Sequence, residues 1–404
     1  MVSKATLLKQ RHATRLIASD LEEKMVLLSG PRQCGKTTLA RSILDQTGGA
    51  YFNWDVAEHR RQLRDGRLPE TARLWVFDEL HKMRAWRGWL KGTYDLHHPL
   101  HQILVTGSGR LDVYGRGGES LQGRYHHHRL HPFTLRELCD RPVSPDTVAS
   151  ELEALQRPAP AGAVEGLASL MQLGGFPEPL LGANERSAAR WRMAYGARLV
   201  REDVRDLENV RDLDRLELLF ERLPATVGSV LSINSLREDL EVAFETVRSW
   251  LSVFERLYAA FRVPPFGAPR IKAVRKEQKL YLWDWTRVEA EPARFENLLL
   301  SHLLRLTHFL EDNTGEKVEL RYFRDVVGHE VDAVVLRRGK PWFAVEAKLD
   351  DRPLDGGLRY LLERVRIPYA FQVSLRGRTD SRVPDVGGSV VRMVPAARFL
   401  AHLP

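Results

Sequence analysis

The chain has 404 residues, 43% hydrophobic and 28% charged, the balance of a globular protein of two to four domains. That excludes wholesale disorder and a collagen-like repeat, and two distant cysteines, Cys34 and Cys139, build no disulfide scaffold. No apolar run approaches the roughly 18 residues that cross a bilayer. The net charge of +8 suits contact with nucleic acid or acidic surfaces, but an Arg-rich genomic bias would produce it too. The first residues, MVSKA, carry no signal-peptide-like apolar stretch. A reducing cytoplasm, with no membrane partner, is the expected setting.

The first strand is read at 24–29 (KMVLLS), and GPRQCGKTTLA (30–40) follows at once. Leu39, Ile43 and Leu44 then recur at helical spacing. A second apolar strand, LWVF (74–77), ends in Asp78-Glu79, and a third, QILV (102–105), ends in Thr106-Gly107-Ser108-Gly109. Strands alternating with helices predict an α/β fold on a parallel sheet. Residues 133–222 read as mostly helical, with a loose connection at 140–163 and a charged, solvated helix face at 190–222. Short helices at 224–262 precede Pro264-Pro265, a basic stretch and the strand KLYLWDW (279–285). A helix at 295–310 leads into alternating strands. No internal repeat or heptad run is found.

Gly30-x-x-x-x-Gly35-Lys36-Thr37 has the spacing of a phosphate-binding loop. Gly30, Pro31, Arg32, Gln33, Cys34, Gly35, Lys36, Thr37 and Thr38 form the expected nucleotide cradle. Backbone N–H groups and the helix N-terminus would face phosphate oxygens. Lys36 is expected to reach the β- and γ-phosphates and Thr37 to bind Mg²⁺. Asp78 would sit on the metal side, with Glu79 as general base. Thr106 could sense the γ-phosphate or orient water. Arg124 is the first candidate for an arginine finger, with Arg110 and Arg116 as rivals. ATP and Mg²⁺ are the expected cofactors.

Near the C-terminus Asp332 lies on one strand (VDAVV), and Glu346 and Lys348 share a face of the next (FAVEAKL). Two carboxylates and a lysine so placed suit a metal-dependent nuclease, with Asp332 and Glu346 on Mg²⁺ and Lys348 assisting water. A structural ion-pair network, or an inactive nuclease-derived fold that binds a partner, would show the same residues. Upstream, 224–285 reads as a winged helix, with ETVRSWL (245–251) as recognition-type helix and RIKAVRK (270–276) as basic wing. Glu238, Asp239, Glu241 and Glu245 lie among those bases, so docking to protein competes with docking to DNA or RNA. The histidines at 97, 98, 101, 126–128 and 131 read as surface or partly packed, and Trp86, Trp89, Trp283 and Trp285 as packing residues.

Taken together, GPRQCGKTTLA, LWVFDELHKM, ILVTGSG, LQGRYHHHRLHPFTLREL, LGGFPEPL, FENLLLSHLL, GHEVDAVV and WFAVEAKL resemble, in order, the AAA+-like ATPases of bacteria and archaea that carry a C-terminal domain of unknown function. One departure is Gly109, where that family usually shows a second serine. The resemblance implies ATP binding and hydrolysis, a winged-helix segment and a restriction-endonuclease-like C-terminal fold of the PD-(D/E)xK type. It also suggests Glu296 as a further metal ligand on the preceding helix. The implied organisation is an AAA+-like P-loop domain (1–135), a helical lid or connector (136–222), a winged helix (223–289) and the endonuclease-like domain (290–404). The function expected is a Mg-dependent ATPase acting on or with nucleic acid; the alternative is a signalling or scaffold ATPase with a silent C-terminal domain. A protein partner or a homo-oligomer is expected in either case.

Overall fold

The computed structural model describes residues 9, 11–109, 111, 121–204, 212–267 and 277–404. Arg110, Arg116 and the basic wing at 270–276 lie outside the described residues. The chain forms two compact units. One comprises Gln10–Pro132 with Arg256–Tyr258; the other comprises Met1–Lys9, Phe133–Glu255 and Ala259–Pro404.

The first unit is built on five parallel strands: β1 (Met25–Ser29), β2 (Gly49–Asn53), β3 (Leu74–Asp78), β4 (Gln102–Gly107) and β5 (Tyr125–Arg129). Their order in the sheet is β2-β3-β4-β1-β5. Every residue of β1 and β3 is buried. A parallel sheet covered on both faces demands such continuous apolar runs. Helices α1 (Ala13–Asp20), α2 (Lys36–Thr47), α3 (Ala57–Arg64) and α4 (Trp86–His97) complete the unit. Trp75, Phe77, Ile103 and Val105 of the sheet share a core with Trp86, Leu90 and Tyr94 of α4. Several histidines belong to this packing: His101 stacks on Trp75 with ring centroids 4.1 Å apart, and His98 stacks on Tyr94 at 4.5 Å.

Because β4 lies between β1 and β3, the three carboxyl ends stand side by side. Thr106 is in register with Leu28 on one flank and with Asp78 on the other. The loops that follow β1, β3 and β4 therefore share one edge, where ligands bind in open α/β sheets.

The second unit begins with short helices, which include Val148–Ala154 inside the stretch expected to be a loose connection. Glu151 of that helix pairs with the buried Arg136 at 2.8 Å, which gives the helix a docking point. Helices Ile233–Leu240 and Phe244–Arg256 are followed by an antiparallel pair, β6 (Ala260–Val263) and β7 (Lys279–Leu282). An isolated bridge joins Val230 to Lys279. β7 stops earlier than the strand expected to 285, because Asp284 turns the chain by accepting from the Thr286 N–H and hydroxyl at 3.2 and 2.6 Å.

Helix Glu291–Thr314 then packs on a six-stranded mixed sheet of order β12-β13-β11-β10-β9-β8. Its strands are β8 (Val318–Arg324), β9 (Glu330–Arg337), β10 (Lys340–Lys348), β11 (Tyr369–Ser374), β12 (Ser381–Val386) and β13 (Ser389–Pro395). β8, β9 and β10 form an antiparallel meander, and helix Gly356–Arg364 carries the chain from β10 to its parallel neighbour β11. The early helical segment is tied to this sheet. Trp342 Nε1 donates to Glu153 at 2.8 Å, Arg392 to the Ala154 carbonyl at 2.8 Å, and Arg136 to the His402 carbonyl at 3.1 Å. Fully buried His302 accepts from the Leu135 N–H at 3.2 Å and donates to the Leu298 carbonyl at 2.9 Å. Among the described residues no helix is long and apolar enough to cross a membrane.

Candidate functional site

The chain leaves β1 through Gly30, whose φ of 152° and surroundings exclude a side chain; a Cβ there would lie 2.3 Å from the Leu130 carbonyl oxygen. Gln33 (φ 62°) and Gly35 (φ 99°) complete the reversal that brings the chain into α2. The loop is braced from outside by Arg11, which donates to the Cys34 carbonyl at 3.1 Å. Pro31 and Cys34 are buried, Arg32 and Gln33 half-buried, and Thr38 exposed. The N-terminal N–H groups of α2 face the loop, a ready anion site. Lys36, only 5% exposed, folds back to donate to the carbonyls of Gly30 (3.0 Å) and Pro31 (2.7 Å).

Thr37 donates to Asp78 Oδ2 at 2.9 Å. The same carboxylate accepts from the Tyr51 hydroxyl at 2.5 Å and from the Thr106 hydroxyl. Burial and the adjacent Asp78 push the Tyr51 phenol up to about 12, so it stays a donor. Thr37, Asp78 and Thr106, far apart in sequence, thus converge on one carboxylate. A threonine hydroxyl and a carboxylate are hard oxygen donors that fit Mg²⁺, and Lys36 and the α2 N-terminus fit phosphate.

Glu79 sits in left-handed conformation (φ 55°), fixed by its N–H on the Thr106 carbonyl at 3.0 Å. Its carboxylate accepts from Ser108 at 3.2 Å, with His81 at 3.6 Å and Lys82 at 3.8 Å. Burial lowers the His81 pKa below its ordinary value. A non-glycine residue held in this backbone region marks an over-determined site.

Arg124 is not brought to this edge. It precedes β5 at the opposite end of the sheet, where its carbonyl accepts from the Met25 N–H at 3.3 Å. Its guanidinium forks onto Asp95 at 2.6 and 3.0 Å. Arg124 precedes Tyr125, the partner of Met25, so the whole of β1 lies between it and Gly30, about 20 Å at strand rise. The structure thus places Arg124 away from the phosphate loop of its own chain, and a finger role for it would be one between subunits.

In the second unit Asp332 (β9) and Glu346 (β10) are brought together. Asp332 Oδ2 accepts from the Ala347 N–H at 2.8 Å, and Glu346 Oε2 from the Asp332 N–H at 3.3 Å. Lys348 bridges Glu346 at 2.7 Å and Asp355 at 2.8 Å. Burial and the Glu346 and Glu296 carboxylates push Asp332 well above the usual carboxylate range, and burial pushes Glu346 up to about 7. Glu296 points to different partners: Lys279 at 3.0 Å and the Tyr281 hydroxyl at 2.6 Å. Lys279 also holds Glu330 at 2.5 Å and lies 4.0 Å from Asp332. Among the described residues no three His, Cys, Asp or Glu side chains converge to hold a metal ion. A nuclease Mg²⁺ on Glu296, Asp332 and Glu346 therefore does not fit this arrangement, because an ammonium already stands among the acids.

Sequence reasoning passed over Tyr51, Lys279, Tyr281, Glu330 and Asp355. Lys279 and Tyr281 had a signal: two polar-headed residues two apart, on one face of an otherwise apolar strand. Tyr51 lies on β2, where only Phe52 is buried, so the strand shows no continuous apolar run to stand out.

Residues 22–139 match the family of the AAA domain. This segment is similar to AAA domains, which supports an AAA-like ATPase. Residues 164–286 match a domain of unknown function, DUF8612. The chain is 24% identical over 339 residues to the uncharacterized protein Rv2008c of Mycobacterium tuberculosis, covering 82% of this chain and 71% of that one. It is 25% identical over 300 residues to the uncharacterized protein MJ1637 of Methanocaldococcus jannaschii, covering 66% and 62%. Among solved structures it overlaps a signal transduction ATPase with numerous domains from Pyrococcus horikoshii (14% identity, TM-score 0.27, 76% of this chain and 48% of that one). It also overlaps Bacteroides Pif1 bound to single-stranded DNA (13% identity, TM-score 0.22, 41% and 50%). The matches span about half the length of these two solved chains, and scores so low carry no argument about function.

Proposed function

We propose that the protein is a Mg-dependent ATPase whose turnover is carried out at the shared edge of β1, β3 and β4. The observation that carries this reading is the convergence of Thr37 and Thr106 on Asp78, beside a lysine at a helix N-terminus. In this reading Lys36 leaves its two carbonyl partners for the β- and γ-phosphates. Thr37 and Asp78 hold Mg²⁺, which supplies positive charge against the phosphates. Glu79 takes a proton from the attacking water, and Ser108 holds the carboxylate in place. The test is nucleotide affinity. Lys36→Ala should weaken ATP binding at least tenfold, the scale of a charge-assisted hydrogen bond of about 1.5–3 kcal/mol. Unchanged affinity and turnover would remove the assignment.

We further propose that the ATPase acts on or with a macromolecular partner through the segment at 223–289, read as a winged helix. Two helices followed by an antiparallel hairpin support nucleic acid as that partner. A second reading, docking of a protein to a signalling or scaffold ATPase, is favoured by the charges on those helices. Arg248 lies against Glu245 at 3.3 Å and Arg237 against Glu238 at 3.4 Å, so neither arginine stands clear of an acid. ATP turnover measured with and without single- and double-stranded DNA and RNA separates the two. Stimulation supports nucleic acid, and its absence on every substrate supports a protein partner. A restriction-endonuclease-like ancestry of residues 290–404 is also proposed, supported by a helix followed by a mixed sheet with Asp332, Glu346 and Lys348 on neighbouring strands.

A further inference from the structure

Lys279 opens β7 and is 1% exposed. A lysine is almost never so buried unless paired. Its Nζ lies 2.5 Å from Glu330, 3.0 Å from Glu296 and 4.0 Å from Asp332, and 5.6 Å from the centre of the Tyr322 ring. Tyr281, two residues on, donates to the same Glu296 oxygen at 2.6 Å. The second Glu330 oxygen takes Arg324 at 3.3 Å. On the far side Lys348 spans Glu346 and Asp355. A backbone N–H of β10 also donates to Asp332 and one of β9 to Glu346. Each of the five carboxylates thus already has a cation or a donor from this chain.

A divalent ion would need carboxylate oxygens at about 2.0–2.1 Å, free of competing donors. Placed between Asp332 and Glu296 it would face a buried ammonium a few ångströms away, and like charges repel strongly out of water. We propose that Lys279 is the resident cation of this cluster, bound by Glu296, Glu330 and Asp332 in place of a metal. The cluster then fastens β7 to the C-terminal sheet and performs no phosphodiester chemistry. This inference does not rest on the ATPase reading.

The test uses the full-length protein without nucleotide, with thermal melting in millimolar Mn²⁺ or in EDTA. Wild type should melt at the same temperature in both and cleave no DNA or RNA. Lys279→Met should lose several degrees, while Lys279→Arg, which keeps the cation, should lose less. A wild-type Tm raised by Mn²⁺, with the rise absent in Asp332→Asn, would overturn the proposal. So would a Lys279→Met protein that melts like wild type. If Lys279→Met does not fold, the Mn²⁺ comparison on wild type and Asp332→Asn still decides.

Discussion

Thr37 and Asp78 are 41 positions apart and meet at 2.9 Å, hydroxyl to carboxylate, across the edge of the parallel sheet. The contact exists because β4 separates β1 from β3 by one strand, so a residue opening α2 can reach the end of β3. Thr106 fills the space between them.

Glu79→Gln should leave ATP affinity unchanged and slow hydrolysis by about 10² or more, the usual contribution of a positioned general base. Single-turnover hydrolysis beside equilibrium nucleotide binding measures both. Normal turnover would place the base elsewhere.

Tyr51→Phe removes one of the three donors on Asp78 without changing the shape of the side chain. Outer donors of this kind typically alter metal affinity by about 10–100-fold. The Mg²⁺ concentration for half-maximal turnover should therefore rise about tenfold, with the maximal rate less affected. A Mg²⁺ titration identical to wild type would show that Tyr51 does not orient Asp78.

Arg124→Ala should keep its turnover wherever the protein is dilute enough to be monomeric, since the guanidinium lies at the wrong end of its own sheet. If it acts between copies, wild-type turnover per chain should rise with protein concentration and the variant's should not. Loss of turnover in a dilute, monomeric variant would contradict the placement.

His302 is buried in neutral form, and burial lowers its pKa to about 4. Its contribution is present above the unfolded value of about 6.5 and is lost as pH falls toward the folded value. From 6.5 to 4 the shift corresponds to about 3 kcal/mol. His302→Gln keeps an acceptor for the Leu135 N–H but cannot titrate. Urea unfolding between pH 7 and pH 4.5 should therefore show a shallower decline for the variant than for wild type. Equal slopes would assign acid lability to other groups.

The edge that gathers Lys36, Thr37, Asp78 and Thr106 was legible because apolar runs with abrupt polar ends announce buried parallel strands. β5 was not. Its sequence, YHHHR, gives no apolar run, and its histidines, read as surface or partly packed, take the second form: His127 sits 2.8 Å from Ser29 and His128 bonds Asp20 at 2.7 Å. Partners so distant in sequence give a local pattern nothing to show. Arg124 shows the same limit: an arginine following Gln122 and Gly123 says nothing about which end of the sheet it occupies. The pairing of Asp332 with Glu346 followed from strand alternation, whereas Lys279 lies more than fifty residues upstream and enters the cluster only through tertiary packing.

The ties from residues 136–154 to Trp342, Arg392 and His402 bear on how such a chain can be cut or recombined. An excised C-terminal sheet would leave the Trp342 indole and the Arg392 guanidinium without the acid and carbonyl they bond. The early helices would in turn lose the surface that orders them. Residues 133–404 should therefore behave as one inheritable piece, gained, lost or transplanted whole, with limited proteolysis leaving its two ends associated even after the chain between them is nicked.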